Sequence, residues 1–179
     1  MNETPYLYSE DSNLLGKFLS NLEGSGSYLE IGAGNGGNLL EANRGHKFEN
    51  VVGTDIFSLD KIREELPRDV ELVLADKASC FRAGTFDVVA FNPPYVPSIG
   101  IQDPTTDGGY GGIEIPLLFL SSALFVLKEN GIVVMILSSE DSLKEVETFC
   151  SARNLILTRA LETKLFFESL YVFVVSRKK

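Results

Sequence analysis

The sequence is poor in the residues that build metal centres and covalent staples. In 179 residues it has one histidine, His46, two cysteines, Cys80 and Cys150, and no tryptophan. Two distant cysteines without a partner pattern exclude a disulfide framework and read as the reduced thiols of a cytoplasmic protein. With no Cys/His cluster, no zinc or other metal site is expected in this chain. Long apolar runs are absent too. The longest, Ile115 to Leu127, is broken by Pro116, Ser121 and Ser122, too short and too interrupted for a membrane span. The opening Met1-Asn2-Glu3-Thr4-Pro5 lacks the basic-then-apolar form of a secretory signal. Positive charge is scarce: 16 Lys and Arg face 25 Asp and Glu, a net charge of −9, and the only basic run is Arg177-Lys178-Lys179. Phosphate contacts dominate nucleic-acid affinity and need clustered cations. A nucleic acid is therefore not expected as a direct partner unless a second chain supplies the surface.

What is present describes one α/β domain spanning residues 1–179. Apolar residues make up 44% of the chain, and a chain of this length buries well over half its unfolded surface without staples. Apolar segments alternate with helical patterns, the sign of βαβ units and a parallel sheet. A first helix is expected from Asn13 to Leu22, capped by Asp11 or Ser12. Strands are expected at Tyr28–Ile31, Val51–Asp55, Val70–Leu74, Phe86–Phe91 and Ile132–Leu137. Helices are expected from Gly37 to Asn43, from a Ser58 cap through Leu66, in a segment with Pro116 in its first turn and Gly131 just after it, and from Asp141 to Arg153. Leu155–Leu161 and Leu170–Ser176 should pair as an antiparallel hairpin at one edge. Residues 92–112 are rich in Gly, Pro, Asp and Thr with no period, and a loop that long in a compact domain usually carries function.

Two segments carry chemistry. In Tyr28-Leu29-Glu30-Ile31-Gly32-Ala33-Gly34-Asn35-Gly36-Gly37 an apolar strand runs into glycines that let backbone approach a ligand closely. Such a loop also fits dinucleotide sites, and Asp55, closing the next strand, suits ribose hydroxyls in either case. Glu30, inside the strand, can accept hydrogen bonds from a ligand or from loop N–H groups. The second segment, Asn92-Pro93-Pro94-Tyr95, follows the strand Phe86–Phe91. Two prolines cannot extend a strand, since they lack N–H donors and fix φ. They force a stiff turn at the carboxyl end of the sheet, where ligands of open α/β sheets bind. The Asn amide offers one acceptor and two donors there, enough to grip a planar group bearing NH2. Such a turn has no role in hydride transfer, which argues against the dinucleotide reading.

The order Glu30-x-Gly32-x-Gly34-x-Gly36, Asp55, Asp76, Asn92-Pro-Pro-Tyr95 resembles the class I S-adenosylmethionine-dependent N-methyltransferases, and within them the HemK-like protein glutamine-N5 methyltransferases of the short archaeal and eukaryotic type. Tyr8-Ser9-Glu10-Asp11-Ser12-Asn13-Leu14-Leu15 is similar to that family's acidic-Ser/Thr motif, with Ser9 where a proline-containing version is commoner. Thr106-Asp107-Gly108-Gly109-Tyr110-Gly111-Gly112 resembles its Gly-rich segment, with Tyr110-Gly111 where an acid is frequent. Glu168-Ser169-Leu170-Tyr171-Val172 resembles its last turn and strand. The resemblance covers nearly the whole chain. It implies a Rossmann-like fold with a seven-stranded, mostly parallel sheet, an antiparallel last strand and helices on both faces.

The resemblance also implies roles. S-adenosyl-L-methionine would be held by Glu30 and the Gly32, Gly34, Asn35 and Gly36 backbone at its methionine end. Asp55 would take its ribose, with Ile56 beside it, and Asp76 and Lys77 its adenine. Glu10, Asp11 and Ser12 would line the methionine pocket or simply cap the first helix. Asn92, Pro93, Pro94 and Tyr95 would be catalytic, and Asn92 would also contact the cofactor. The Asn92 oxygen and the Pro93 carbonyl accept the two N–H bonds of a target amide, and Tyr95 packs on the target through its ring rather than its hydroxyl. The gain is mainly positioning, and the surplus proton leaves after attack, without a general base. The implied substrate is the Gln of a Gly-Gly-Gln loop in a translation release factor. The alternatives are an exocyclic amine of RNA or DNA, adenine-N6 or guanine-N2, and a protein lysine. A small zinc-binding activator protein is the implied partner. Val70–Leu74, an apolar strand expected at the open edge of the sheet, is where it would add a strand.

Overall fold

The computed structural model describes residues 10–138, 140–166 and 169–178. Met1–Pro5, the Tyr8-Ser9 part of the N-terminal motif, Glu168 and Lys179 lie outside the described residues. In chain order the elements are α1 (Glu10–Asn21), β1 (Ser27–Ile31), α2 (Gly37–Asn43), β2 (Asn50–Asp55), α3 (Asp60–Glu65), β3 (Val70–Leu74), β4 (Phe86–Phe91), α4 (Glu114–Val126), β5 (Leu127–Leu137), α5 (Glu140–Ser151), β6 (Leu155–Lys164) and β7 (Ser169–Arg177), with single 3₁₀ turns at Arg44–His46 and Tyr110–Gly112.

Seven strands form one sheet in the order β3-β2-β1-β4-β5-β7-β6. The pairs from β3 through β5 are parallel, and β7 runs antiparallel to both β5 and β6. The fold is that of the class I methyltransferases. The strands alternate their side chains between two cores. Leu29, Ile31, Val89 and Phe91 join α4 and α5 on one face. Tyr28, Val88 and Ala90 join α1, α2 and α3 on the other. Leu15, Leu19, Leu39 and Leu120 are fully buried, each contributing about 1.5–3 kcal/mol by leaving water. The strand order reverses between β1 and β4, so the loops leaving their carboxyl ends diverge and open a crevice.

The structure moves several boundaries. The first helix begins at Glu10, so Asp11 and Ser12 lie inside its first turn rather than capping it, and the Ser12 N–H bonds the Asp11 carboxylate at 2.7 Å. Acids in a first turn face the positive end of the helix dipole. The helix expected to be capped by Ser58 has Leu59 at its N-cap, and the Ser58 hydroxyl instead meets the Asp60 carboxylate at 2.9 Å. The fifth strand starts at Leu127, not Ile132, and Gly131 lies within it rather than ending α4. The cause is an irregularity: Leu127 pairs with Phe86, and pairing resumes with Ile132 opposite Val88. Gly131 lies so close to β4 that a Cβ there would stand 2.7 Å from the Asp87 carbonyl oxygen. β6 runs on to Lys164, three residues beyond the expected Leu161, because pairing with β7 continues to Ser169 past a bulge at Arg159/Leu161.

Candidate active site

The site is built where β1 and β4 end side by side, with Glu30 opposite Ala90 and Ile31 opposite Phe91. Glu30 is 2% exposed. Its Oε1 accepts a bond from the Asn38 amide at 3.1 Å, while its Oε2 is buried without a partner. Burial, and next to it the charge of Asp55, push its carboxyl up to about 8, against the bond from Asn38. A buried carboxyl with a vacant oxygen is costly unless a ligand completes it. Of the two donors open to Glu30, a ligand or a loop N–H, no loop N–H reaches it among the described residues; the loop N–H of Gly34 goes to Asp55 instead. Its Oδ2 accepts the Gly34 N–H at 2.9 Å and its Oδ1 the Phe57 N–H at 3.1 Å. Each oxygen keeps a lone pair for a further donor.

The glycine loop is a cradle of positive-φ residues, with Gly32 at 78°, Gly34 at 55° and Gly36 at 80°. Gly36 caps α2 in the left-handed conformation, and a Cβ there would lie 2.8 Å from Ile62. The Asn35 side chain accepts the Gly37 N–H at 3.0 Å and so shapes the loop itself. Asn38, one turn on, is one residue that sequence reading missed. Its only signal is a polar residue on the helix face turned towards the strand. Phe119 of α4 was also missed. Its ring packs on Phe91 at 5.6 Å, sits under the Lys77 ammonium at 5.6 Å and would meet a Cβ on Gly32 at 3.8 Å.

Asp76 and Lys77 follow β3 and pair with each other at 2.6 Å, with Asp76 largely exposed. The next residue is anchored, its Ala78 N–H bonding the Ser122 hydroxyl of α4 at 3.1 Å. Ile56 is half exposed and Glu10 exposed, so both stand at the rim rather than inside.

The turn after β4 is held from two sides. The Tyr95 hydroxyl donates to the buried Asp11 of α1 at 2.9 Å, so the hydroxyl has a partner that sequence reading did not assign. On the other side the Gly-rich segment packs against the backbone of Tyr95. A Cβ on Gly108 would stand 2.7 Å from the Tyr95 Cα, and one on Gly112 would lie 2.2 Å from its carbonyl oxygen. Between these clamps the Asn92 Oδ1 is buried and has no hydrogen-bond partner. The structure thus places Glu30, Asp55 and the glycine loop at the carboxyl ends of β1 and β2, and Asn92 and Tyr95, the latter bonded to Asp11, just past the end of β4, while Asp76, Ile56 and Glu10 are exposed.

Residues 28–173 match the model of the Eco57I restriction-modification methylase family. A Methanocaldococcus jannaschii chain, provisionally named protein N5-glutamine methyltransferase, is 30% identical over 93% of this chain and 89% of its own length. The chain belongs to the HemK-like class I methyltransferases. Among solved structures, the methyltransferase resembles one described as the E. cuniculi Mtq2–Trm112 complex responsible for methylation of the eRF1 translation termination factor. The TM-score is 0.76 with 29% identity, covering 97% of this chain and 98% of that one. A ribosomal protein L11 methylase of Lactobacillus delbrueckii subsp. bulgaricus shares the fold at a TM-score of 0.68 and 16% identity, over 96% of the enzyme and 80% of that chain. No helix among the described residues of the enzyme is long and apolar enough to cross a membrane.

Proposed function

We propose that the enzyme transfers a methyl group from S-adenosylmethionine to the side-chain amide nitrogen of a glutamine, in the Gly-Gly-Gln loop of a translation release factor, in the cytoplasm. The observation that carries this reading is the buried, unpartnered Asn92 Oδ1 beside the double-proline turn. A lone acceptor there is satisfied when an NH2 group enters. The similarity to a complex described as methylating eRF1 supports the protein substrate.

The residues present fit S-adenosylmethionine. The vacant Glu30 Oε2 suits its ammonium, the positive-φ loop admits its backbone-sized methionine end, and Asp55 has lone pairs left for its ribose hydroxyls. Asp76 and Lys77, with Phe119 beneath, are assigned the adenine side. When bound, the cofactor supplies a methyl on a sulfonium, the electrophile of the reaction. The protein supplies position. Asn92 and the Pro93 carbonyl accept the two amide N–H bonds and fix the nitrogen, whose lone pair is otherwise delocalised into its carbonyl. Holding reacting groups in line lowers a barrier by several kcal/mol. Tyr95, clamped by Asp11 and the Gly-rich segment, walls the amide from water.

A small zinc-binding activator protein is assigned to β3. This strand lies at the open edge of the sheet, Leu74 at its end is 64% exposed, and residues 75–85 between β3 and β4 form no helix. An apolar edge of this kind invites strand addition.

A second reading, methylation of an exocyclic nucleobase amine, is favoured by the family model's description as a restriction-modification methylase and opposed by the net charge of −9. The deciding experiment is transfer of labelled methyl to purified release factor, run beside tRNA, rRNA and DNA. Label entering the factor at its glutamine supports the proposal, and label entering only nucleic acid overturns it.

A further inference from the structure

From Ala83 to Leu127 the chain contains no lysine, arginine or histidine, and its charged residues there are Asp87, Asp103, Asp107 and Glu114. This interval holds the Asn92–Tyr95 turn and the loop after it. The loop is built rather than slack. The Val96 N–H bonds the Thr106 carbonyl at 3.0 Å, and the Gly108 N–H returns to the Val96 carbonyl at 2.8 Å. Asp107 accepts the N–H groups of Gln102 and Asp103 at 2.8 and 2.9 Å. Asp103 accepts the Thr105 hydroxyl and N–H, bonds that hold its carboxyl below the usual range, so it stays ionised. Glu114 receives the Tyr110 N–H at 2.9 Å. On this frame large apolar side chains point into solvent: Ile99 is 99% exposed, Tyr110 81%, and Val96 and Ile101 each 48%. Clustered apolar exposure on an ordered scaffold marks an interaction surface.

We infer that Val96, Ile99, Ile101 and Tyr110 form the docking ridge for the polypeptide that presents the target amide, and that lysine or arginine flanks the target in that polypeptide. The inference rests on the reading of a protein substrate and adds where it docks and what chemistry it carries. Continuity places the ridge there, since Val96 directly follows Tyr95 and Gly108 and Gly112 pack on the Tyr95 backbone. Charge selects the occupant. A phosphate backbone would find no cation within these 45 residues to release its counterions. A cationic segment is drawn to the same rim and kept in register by it. The apolar side chains then supply contact area that a charged rim alone lacks.

The test measures binding and transfer separately, on the full chain co-expressed with its activator and saturated with S-adenosylhomocysteine for the binding arm. The probe is purified release factor, with an rRNA fragment as the other class. The double variant Ile99→Ser/Tyr110→Ser should bind the factor at least tenfold more weakly, with S-adenosylhomocysteine affinity unchanged. Ile99→Leu/Tyr110→Phe should bind like the wild type, which separates lost contact from lost fold. Raising NaCl from 50 to 500 mM should weaken wild-type binding several-fold. Undiminished binding by the serine variant overturns the ridge, salt-independent binding overturns the cationic segment, and preference for the rRNA fragment overturns both. A factor that binds through the ridge but accepts no methyl sinks the glutamine reading and leaves the ridge standing. A factor methylated equally well by the serine variant at low concentration sinks the ridge alone.

Discussion

The hydroxyl of Tyr95 donates a 2.9 Å hydrogen bond to the carboxylate of Asp11, across 84 residues of sequence. One end lies in the turn proposed to hold the target amide, the other in the first turn of α1, 3% exposed. Hydrogen bonds to a charged partner contribute about 1.5–3 kcal/mol. Tyr95→Phe is therefore expected to lower thermal stability and to reduce kcat, although the ring itself survives. Unfolding curves and single-turnover transfer check this together. A phenylalanine variant that matched the wild type in both would show that the ring alone matters.

Asn92→Ala should abolish transfer while leaving S-adenosylhomocysteine affinity nearly unchanged. Because the Oδ1 lost has no protein partner, the variant should fold at least as stably as the wild type. Calorimetric titration and melting temperature separate the two claims, and near-normal turnover would defeat the clamp.

Asp55→Ala should weaken cofactor binding by about 1–3 kcal/mol, the loss expected when donors lose a charged acceptor. It should also loosen the glycine loop, since the Gly34 and Phe57 N–H groups lose their acceptor at the same time. Faster amide exchange at Gly34 in the free protein would report the second effect independently of ligand.

Glu30 gives a pH dependence with a definite sign. Its folded-state value is raised from 4.5 to about 8, first by burial and also by Asp55. The native chain therefore holds this proton more tightly than the unfolded chain. The stabilisation is fully present below about pH 4.5 and is lost as pH rises through about 8. Relative to Glu30→Gln, the melting temperature of the ligand-free wild type should fall steadily between pH 5 and 8. Parallel curves for the two proteins would refute the assignment.

Leu74→Lys should cancel the gain in solubility and activity expected from co-expression with the activator. Leu74 is the suitable probe because its side chain is largely exposed. Leu72 and Val73, on the same strand, pack against the two cores, and charging them would unfold the sheet as well. Wild-type behaviour of the Leu74 variant in the presence of partner would remove β3 from the interface.

Much of this architecture is readable from local pattern. The bounds of β3, β4 and α2 match the expected ones because each is closed by a local signal: Pro67 and Asp69 ahead of β3, the double proline after β4, Gly36 before α2. β5 begins earlier than expected because Leu127 pairs with Phe86, a long-range contact that local pattern does not show, while Lys128-Glu-Asn-Gly131, with the composition of a turn, falls in the irregularity between Leu127 and Ile132. The glycine loop, Asp55 and the Asn92 turn are visible because backbone conformation and chain reversal demand those residue types. The Asn38 bond to Glu30 and the Asp11 bond to Tyr95 are invisible because they depend on how helices settle against the sheet, which no spacing encodes.

The pairing of β7 between β5 and β6 also bears on how the sheet can close. In a chain folded only as far as β5, one edge of that strand meets β4 and the other still lacks β7. β6 follows it but cannot fill that edge, because its hydrogen-bonding partner is β7. Until β7 emerges, the row of Val133, Val134, Met135 and Ile136, wholly enclosed in the finished molecule, presents an open apolar border to every other nascent chain nearby. Strand pairing between distant segments is slow, and unpaired edges aggregate while they wait. Yield in the cell should thus depend on the speed at which the final hairpin closes, and a mutation in β7 far from the crevice could lower activity simply by lowering the number of molecules that finish folding.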